Sequence, residues 1–233
     1  MIIGNPLVSI ICTSYNNPMV EMAIKSALAQ TYKNFELILL DDNSNKKTLD
    51  IYKKFNDPRI IYYNSHIKEK DRMKVCPYAR QINVGLKMAK GKLITYMCDD
   101  TVYLPDKLEK MVRFLKRHPL IKVCYNRQRR ELYEGKIKKG APFNILAPDR
   151  ILKDAYCRVD HNSVMHYRSC TKKVGYWDTM FEEGTKSGFA IADAFYWRKL
   201  NTRWSFYPIR EILEINYIHK EGFSSRTRRG EIK

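Results

Sequence analysis

The sequence predicts an α/β fold: a mostly parallel central sheet with helices on both faces, followed by a smaller region. Three observations carry that expectation. Apolar runs of strand length recur at residues 7–12, 35–40, 60–63, 93–98 and 121–125, and stripes with helical spacing lie between several of them. Strands alternating with amphipathic helices form parallel sheets covered on both faces, because each crossover returns over the sheet. A chain of 233 residues, 44% hydrophobic and 12% aromatic, also has enough apolar surface to bury a substantial core.

The first apolar run passes into Thr13, Ser14, Tyr15, Asn16, Asn17 and Pro18, a strand end followed by a helix start, with Asn17 suited to capping and Pro18 to the first turn. Val20, Ile24, Ala27 and Leu28 make the helical stripe that follows. The second run ends in Asp41, Asp42, Asn43 and Ser44. Leu49, Tyr52 and Phe55 mark a short helix, stopped at Asn56, Asp57 and Pro58, before the third run. Residues 64–77 are polar and basic without a clear period and read as a surface loop. A helix resumes near Ala79, with Ile82, Leu86 and Ala89 on one face and Gly91 placed to end it. The fourth run leads into Asp99 and Asp100. Another helix begins near Pro105, with Leu108, Met111, Val112 and Leu115 inward, and stops at His118 and Pro119.

The pattern changes after residue 125. Residues 126–139 are crowded with charge and 140–148 read as loop, which sets a soft boundary between residues 1–125 and residues 126–233 of the same domain. A helix is expected from about residue 190 to 200, flanked by Trp177, Phe181, Phe189 and Trp204, aromatic surface that would pack or line a pocket. Arg226, Arg228, Arg229 and Lys233 sit in what reads as a frayed tail.

Composition narrows the partners. Lys and Arg number 43 against 25 Asp and Glu, a net charge of +18, which favours an anionic partner such as a nucleotide diphosphate, an acidic polymer, anionic lipid or nucleic acid. Six cysteines without a Cys-x-x-Cys pair read as reduced core or edge thiols rather than zinc ligands or a disulfide framework. No apolar stretch approaches a membrane span, and no basic segment followed by a long apolar core opens the chain. A cytoplasmic location is therefore expected, with peripheral attachment to the inner membrane surface through basic residues still open.

In parallel sheets ligands sit beyond the carboxyl ends of the strands, so the polar strand ends at Thr13, Asp42 and Asp99–Asp100 should share one edge. Paired carboxylates there are expensive to bury unpaired, and Mg²⁺ or Mn²⁺ is the sharper reading, because the donors are carboxylates without a Cys/His cluster. A turn plus a helix cap would account for the same residues. One of Asp41 and Asp42 could accept bonds from a base or ribose, or the segment could simply turn. Neither Gly-x-Gly-x-x-Gly nor a Walker lysine motif is present, so a nucleotide site of another design is required. Lys68, Lys70, Arg72 and Lys74 could hold a diphosphate, and Arg127, Arg129 and Arg130 an acidic acceptor, although solvated charge runs of this kind usually serve solubility. Asp160 and Asp193 fit helix caps or a general base acting on a sugar or alcohol. His161 and His166 flank Val164 and Met165 and suit structural roles better than metal binding.

The runs 7–16 and 35–44, with Cys98, Asp99 and Asp100, resemble the nucleotide-sugar half of family 2 GT-A glycosyltransferases. The spore-coat polysaccharide branch is the closest in pattern. Similarity continues through residues 160–166, 191–197 and 206–208, so it covers nearly the whole chain. The resemblance implies a GT-A fold and an inverting, metal-dependent transfer of a hexosyl-type sugar from a UDP- or dTDP-type nucleotide-diphosphate sugar to an acceptor hydroxyl, in polysaccharide or glycoconjugate synthesis. It implies that Thr13, Tyr15, Asp42 and Arg72 contact the nucleotide, Asp99 the ribose, and Asp100 an Mn²⁺ or Mg²⁺ ion bridging the diphosphate. It also implies that Asp193 is the catalytic base, with Asp160 and His161 on the acceptor or donor-sugar side. Many relatives carry Glu before that base, where this chain has Ala192. Transfer to a nucleic acid and a catalytically silent nucleotide- or nucleic-acid-binding module are the alternative readings.

Overall fold

The computed structural model describes residues 4–134, 137–180 and 191–219, with 133–134 and 137–146 described as backbone. Phe181, Phe189, Arg226, Arg228, Arg229 and Lys233 lie outside the described residues. The chain runs β1 (Val8–Ser14), α1 (Val20–Leu28), β2 (Phe35–Asp41), α2 (Lys46–Tyr52), β3 (Ile60–Asn64), α3 (Glu69–Arg72), α4 (Pro77–Met88), β4 (Leu93–Cys98), β5 (Thr101–Tyr103), α5 (Lys107–Arg117), β6 (Val123–Glu134) and β7 (Ile137–Leu146). It continues through a 3₁₀ turn (His161–Ser163), β8 (Val164–Tyr167), α6 (Arg168–Val174), α7 (Ala192–Asn201) and β9 (Phe206–Ile218).

One nine-stranded sheet holds these together in the order β3-β2-β1-β4-β8-β6-β9-β5, with β7 on β6. The first four strands pair in parallel, and β6 with β9 also; β8, β5 and β7 pair antiparallel. Every residue of β1 and β2 is buried, so both faces of the sheet are covered at its centre, which is why these strands read as unbroken apolar runs. Local signals set the helix starts: the Asn45 side chain accepts from the Thr48 amide at 3.1 Å, the Asn17 side chain accepts from the Met19 amide at 3.0 Å, and Pro77 opens α4.

The structure corrects four expectations from sequence. The loop at 64–77 contains the one-turn α3. Gly91 does not end α4, which stops at Ala89. Instead it lies against β1, where a Cβ would meet the Ser9 amide nitrogen at 2.6 Å. The charge-crowded stretch after residue 125 and the loop expected at 140–148 form β6 and β7. Their polarity hid them, because β6 runs between β8 and β9 with Asn126, Gln128 and Glu131 buried. The three-residue β5 and the long β9 were also not foreseen.

No helix among the described residues is long and apolar enough to cross a membrane.

Candidate active site

Register places the predicted strand ends together. Ser14 sits opposite Asp41 and Thr13 opposite Cys98, so the carboxyl ends of β1, β2 and β4 form one edge. The chain leaves β1 and β2 through Asn16 and Asn43, both at positive φ, a conformation asparagine tolerates better than most residues. The two loops are stitched together: the Asn16 amide donates to Ser44 Oγ at 2.9 Å and the Asn45 amide to Asn16 Oδ1 at 2.7 Å.

The acids of the β2 end divide by environment. Asp41 is buried and accepts from the Ser44 amide, Tyr52 and Tyr62 hydroxyls and the Asn64 side chain, a structural set of bonds. Asp42, 1% exposed, meets two guanidinium groups: Arg80 Nη2 lies 2.5 Å from Oδ1 and Arg72 Nε 2.8 Å from Oδ2. In the second contact neither atom has an aligned hydrogen bond. Arg72 also lies 3.5 Å from the centre of the Tyr15 ring, whose hydroxyl donates to Glu69 at 2.7 Å. Of the other basic residues in that segment, Lys74 pairs with Asp71, and Lys68 and Lys70 are exposed. A cavity of about 200 Å³ opens nearby, lined by Tyr63, Ser65, Ile67, Arg80, Gln81 and Val84, and Ser65 Oγ donates to Asp42 at 3.2 Å. Arg80 and Glu69 carried no signal in the sequence beyond their type.

Asp99 accepts from the Tyr15 amide at 3.0 Å and the Asn17 side chain at 2.9 Å, whereas Asp100 accepts from the Asn216 side chain at 3.0 Å. Burial pushes the Asp99 carboxyl up to about 6; burial, then the Asp99 and Asp160 charges, push Asp100 up to about 7. Two carboxylates that resist ionisation side by side favour a cation between or beside them. His219 at the end of β9 adds a nitrogen donor, its Nε2 3.8 Å from Asp100 Oδ2; sequence reasoning missed it because β9 was unforeseen. The carboxylate oxygens are donors of the kind that suits Mn²⁺ or Mg²⁺. Among the described residues no group of three or more His, Cys, Asp or Glu side chains is placed to hold a metal ion.

At the β4 end of the same edge, Asp193 lies in the first turn of α7, and burial raises its carboxyl above the usual range. His161 faces it, with Nδ1 3.9 Å from Asp193 Oδ2 and 3.6 Å from Asp160 Oδ1, while Nε2 lies 3.0 Å from Cys98 Sγ. Burial opposes charge on this imidazole, but Cys98, Asp193 and Asp160 outweigh it and hold its pKa well above the ordinary value. The 3₁₀ turn is fastened to the end of β4 by Asn162, whose Oδ1 accepts from the Cys98 amide at 2.7 Å. Arg130 reaches Asp160 at 3.6 Å, and Arg129 pairs with Glu131. His166 is elsewhere, buried in the core.

The Glycosyl transferase family 2 model matches residues 9–173, which takes in both strand-end acid pairs and the 3₁₀ turn. The chain belongs to glycosyl transferase family 2. This family 2 glycosyltransferase is 36% identical over 228 residues to Protein CgeD of Bacillus subtilis, covering 95% of the chain and 52% of that relative. It is 37% identical over 111 residues to the Escherichia coli UDP-Glc:alpha-D-GlcNAc-diphosphoundecaprenol beta-1,3-glucosyltransferase WfaP, covering 47% of the chain and 41% of WfaP. The chain thus spans about half, or less, of the length of these curated relatives. In fold it is similar to S. aureus TarS 1-349 in complex with UDP, with a TM-score of 0.68, 15% identity and coverage of 92% and 61% of the two chains. It is also similar to the mannosyltransferase PcManGT from Pyrobaculum calidifontis in complex with GDP-Man and Mn²⁺, with a TM-score of 0.66, 15% identity and coverage of 98% and 62%. The architecture is that of the GT-A glycosyltransferases, as expected.

Proposed function

We propose that the chain catalyses an inverting, metal-dependent transfer of a hexosyl-type sugar from a nucleotide-diphosphate sugar to an acceptor hydroxyl, at the cytoplasmic side and in polysaccharide or glycoconjugate synthesis. The observation that carries this reading is the convergence on one edge of the Asp42–Arg72 pair, Asp99–Asp100 and Asp193, from β2, α3, β4 and α7. Asp42 Oδ2 beside Arg72 offers an acceptor and a donor side by side, which matches the imide edge of uracil or thymine and favours a UDP- or dTDP-type donor. TarS with UDP and WfaP by its name agree with that class.

In this reading Thr13 and Tyr15 line the nucleotide, Asp99 accepts from a ribose hydroxyl, and Asp100 with His219 would hold Mn²⁺ or Mg²⁺. The ion supplies charge neutralisation to the diphosphate when bound. Asp193 takes the proton of the acceptor hydroxyl. The acceptor oxygen then bonds to the anomeric carbon from the face opposite the diphosphate, the anomeric C–O bond to phosphate breaks, and the configuration inverts. Asp160 and His161 border the acceptor or transferred sugar, with His161 orienting the base.

Two substitutions test the division of labour. Asp193→Asn should retain Mn²⁺-dependent stabilisation by UDP-sugars while losing roughly 100-fold or more in transfer rate, the size of a general-base contribution. Transfer at the normal rate would remove Asp193 from that role. Asp100→Ala should abolish the extra thermal shift that Mn²⁺ gives in the presence of UDP; an undiminished shift would place the ion elsewhere.

A further inference from the structure

The end of the sheet opposite the acidic edge has the opposite character. Segments 87–92, 113–122 and 168–173 carry three, four and three Lys or Arg residues and no Asp or Glu. They lie side by side at the start of β4, the start of β6 and the end of β8. The Arg168 amide donates to the Lys92 carbonyl at 2.9 Å, the Tyr167 amide to the Lys122 carbonyl at 3.2 Å, and the Arg168 guanidinium to the Ala89 carbonyl at 2.8 Å. Lys90, Lys92, Lys116, Arg117, Lys172 and Lys173 are all exposed, and none has an ion-pair partner among the described residues. The nearby acids are already used: Asp178 pairs with Lys199 at 2.6 Å, and Glu36 is buried under the Lys90 and Gly91 amides and Ser9. Two exposed side chains with apolar surface accompany these segments. Leu120, in the α5–β6 turn, is 91% exposed, and Tyr176, 44% exposed, has Lys87 Nζ at 5.5 Å from its ring centre.

We propose that this face docks on the surface of an anionic lipid bilayer. Unpaired bases set around an exposed leucine and a tyrosine combine the two attractions of an interfacial contact: charge toward acidic headgroups, and apolar or amphipathic side chains at the headgroup boundary. A nucleic acid would match the charge but leave the exposed leucine without a role. The six residues of β4 separate this face from Asp99–Asp100 by about 20 Å at ~3.3 Å per residue. A docked molecule therefore turns its nucleotide edge away from the bilayer, toward the side from which a soluble donor arrives.

The test is co-sedimentation of the 233-residue chain with vesicles of phosphatidylcholine alone and of phosphatidylcholine with 30% phosphatidylglycerol, that mixture being a choice of probe on the order of an anionic leaflet. Binding is expected to the anionic vesicles only and to weaken with salt. Lys116→Gln/Arg117→Gln/Lys172→Gln should lower the partition coefficient roughly 100-fold, at roughly fivefold per base. Leu120→Ser should lower it further at high salt, where charge is screened. Two comparison variants locate the effect: Lys46→Gln/Lys47→Gln/Lys53→Gln on α2, and Arg226→Gln/Arg228→Gln/Arg229→Gln. Thermal melts check that every variant is folded, and a fluorescent single-stranded DNA is titrated in parallel. Absence of vesicle binding, an equal loss in either comparison variant, or affinity for DNA that depends on this face without affinity for vesicles would each overturn the proposal.

Discussion

Two histidines five residues apart show how fully surroundings decide the behaviour of a side chain. His161 is ringed by carboxylates and a thiol and favours the charged form. His166 sits in the core with Nδ1 2.9 Å from the Tyr167 carbonyl, which can only accept, and Nε2 2.7 Å from the Tyr96 hydroxyl. The imidazole is therefore neutral with its proton on Nδ1, and burial holds its pKa down to about 4 against 6.5. As pH falls through 6.5 the unfolded chain takes up this proton before the folded one does. Stability is accordingly lost between about pH 6.5 and 4, by at most about 3 kcal/mol for a shift of this size. Asp99 and Asp100, with raised pKa values, work in the opposite direction over the same range, so the difference between curves is the informative quantity. Urea unfolding of the wild type and of His166→Gln, followed from pH 7.5 to 4.5 (a window set about these values), should show a shallower acid limb in the variant. Read from the residues alone the two histidines suit structural roles alike, yet only His161 has a carboxylate beside it in the chain, Asp160, and the family resemblance implies a site role for His161 alone. Only the fold brings Asp193 to one and Tyr96 to the other.

At the scale of elements, the legible ones were those whose burial is uniform. β1, β2 and β4 are covered on both faces and announce themselves as apolar runs, and α1, α4 and α5 carry apolar stripes against them. β6 was legible only at its apolar start, residues 123–125, and for a physical reason: beyond that its buried side chains are satisfied by other polar groups, as where Gln128 Nε2 donates to Glu214 at 3.0 Å, so no apolar pattern remains to read. Gly91 was legible as a special position, but for a different purpose from the one it serves. Its missing side chain lets the α4–β4 connection lie directly on β1, where its amide donates to Ser9 Oγ at 2.9 Å. An added Cβ would stand 2.5 Å from Ser9 Oγ and 2.9 Å from the Leu7 carbonyl oxygen. Because backbone cannot move aside as a side chain tip can, Gly91→Ala should cost about 3 kcal/mol, read as a lower urea midpoint with an unchanged slope.

For the molecule as a whole, the sequence suggested the parallel half and the meeting of its strand ends, while the second half of the sheet came from long-range pairings that no local pattern encodes. A buried ion pair stands at the junction. Lys107 of α5, with no exposed surface, donates to Glu214 of β9 and to the Asn162 carbonyl at 2.6 Å, and its Nζ lies 3.9 Å from the centre of the Tyr103 ring. Glu214 also accepts from Ser163 at 2.5 Å, so α5, β5, β6, β9 and the 3₁₀ turn meet at one carboxylate. Lys107→Met alone should lose about 3–5 kcal/mol by leaving that carboxylate uncompensated. Adding Glu214→Leu should recover only part of it, because Gln128 and Ser163 then lose their acceptor; chemical denaturation of the two variants decides this. A further consequence lies in the acid pair of β4. Asp99 is fastened to the β1–α1 loop and Asp100 to β9, yet their Cα atoms are chain neighbours a fixed ~3.8 Å apart. The pair is thus a ruler laid across the seam between the two halves. In the proposed function ribose takes one mark and the diphosphate the other, and on that reading the nucleotide is spaced identically whatever sugar hangs from it. Sugar preference can then vary through residues beyond the ruler without disturbing how the nucleotide is held.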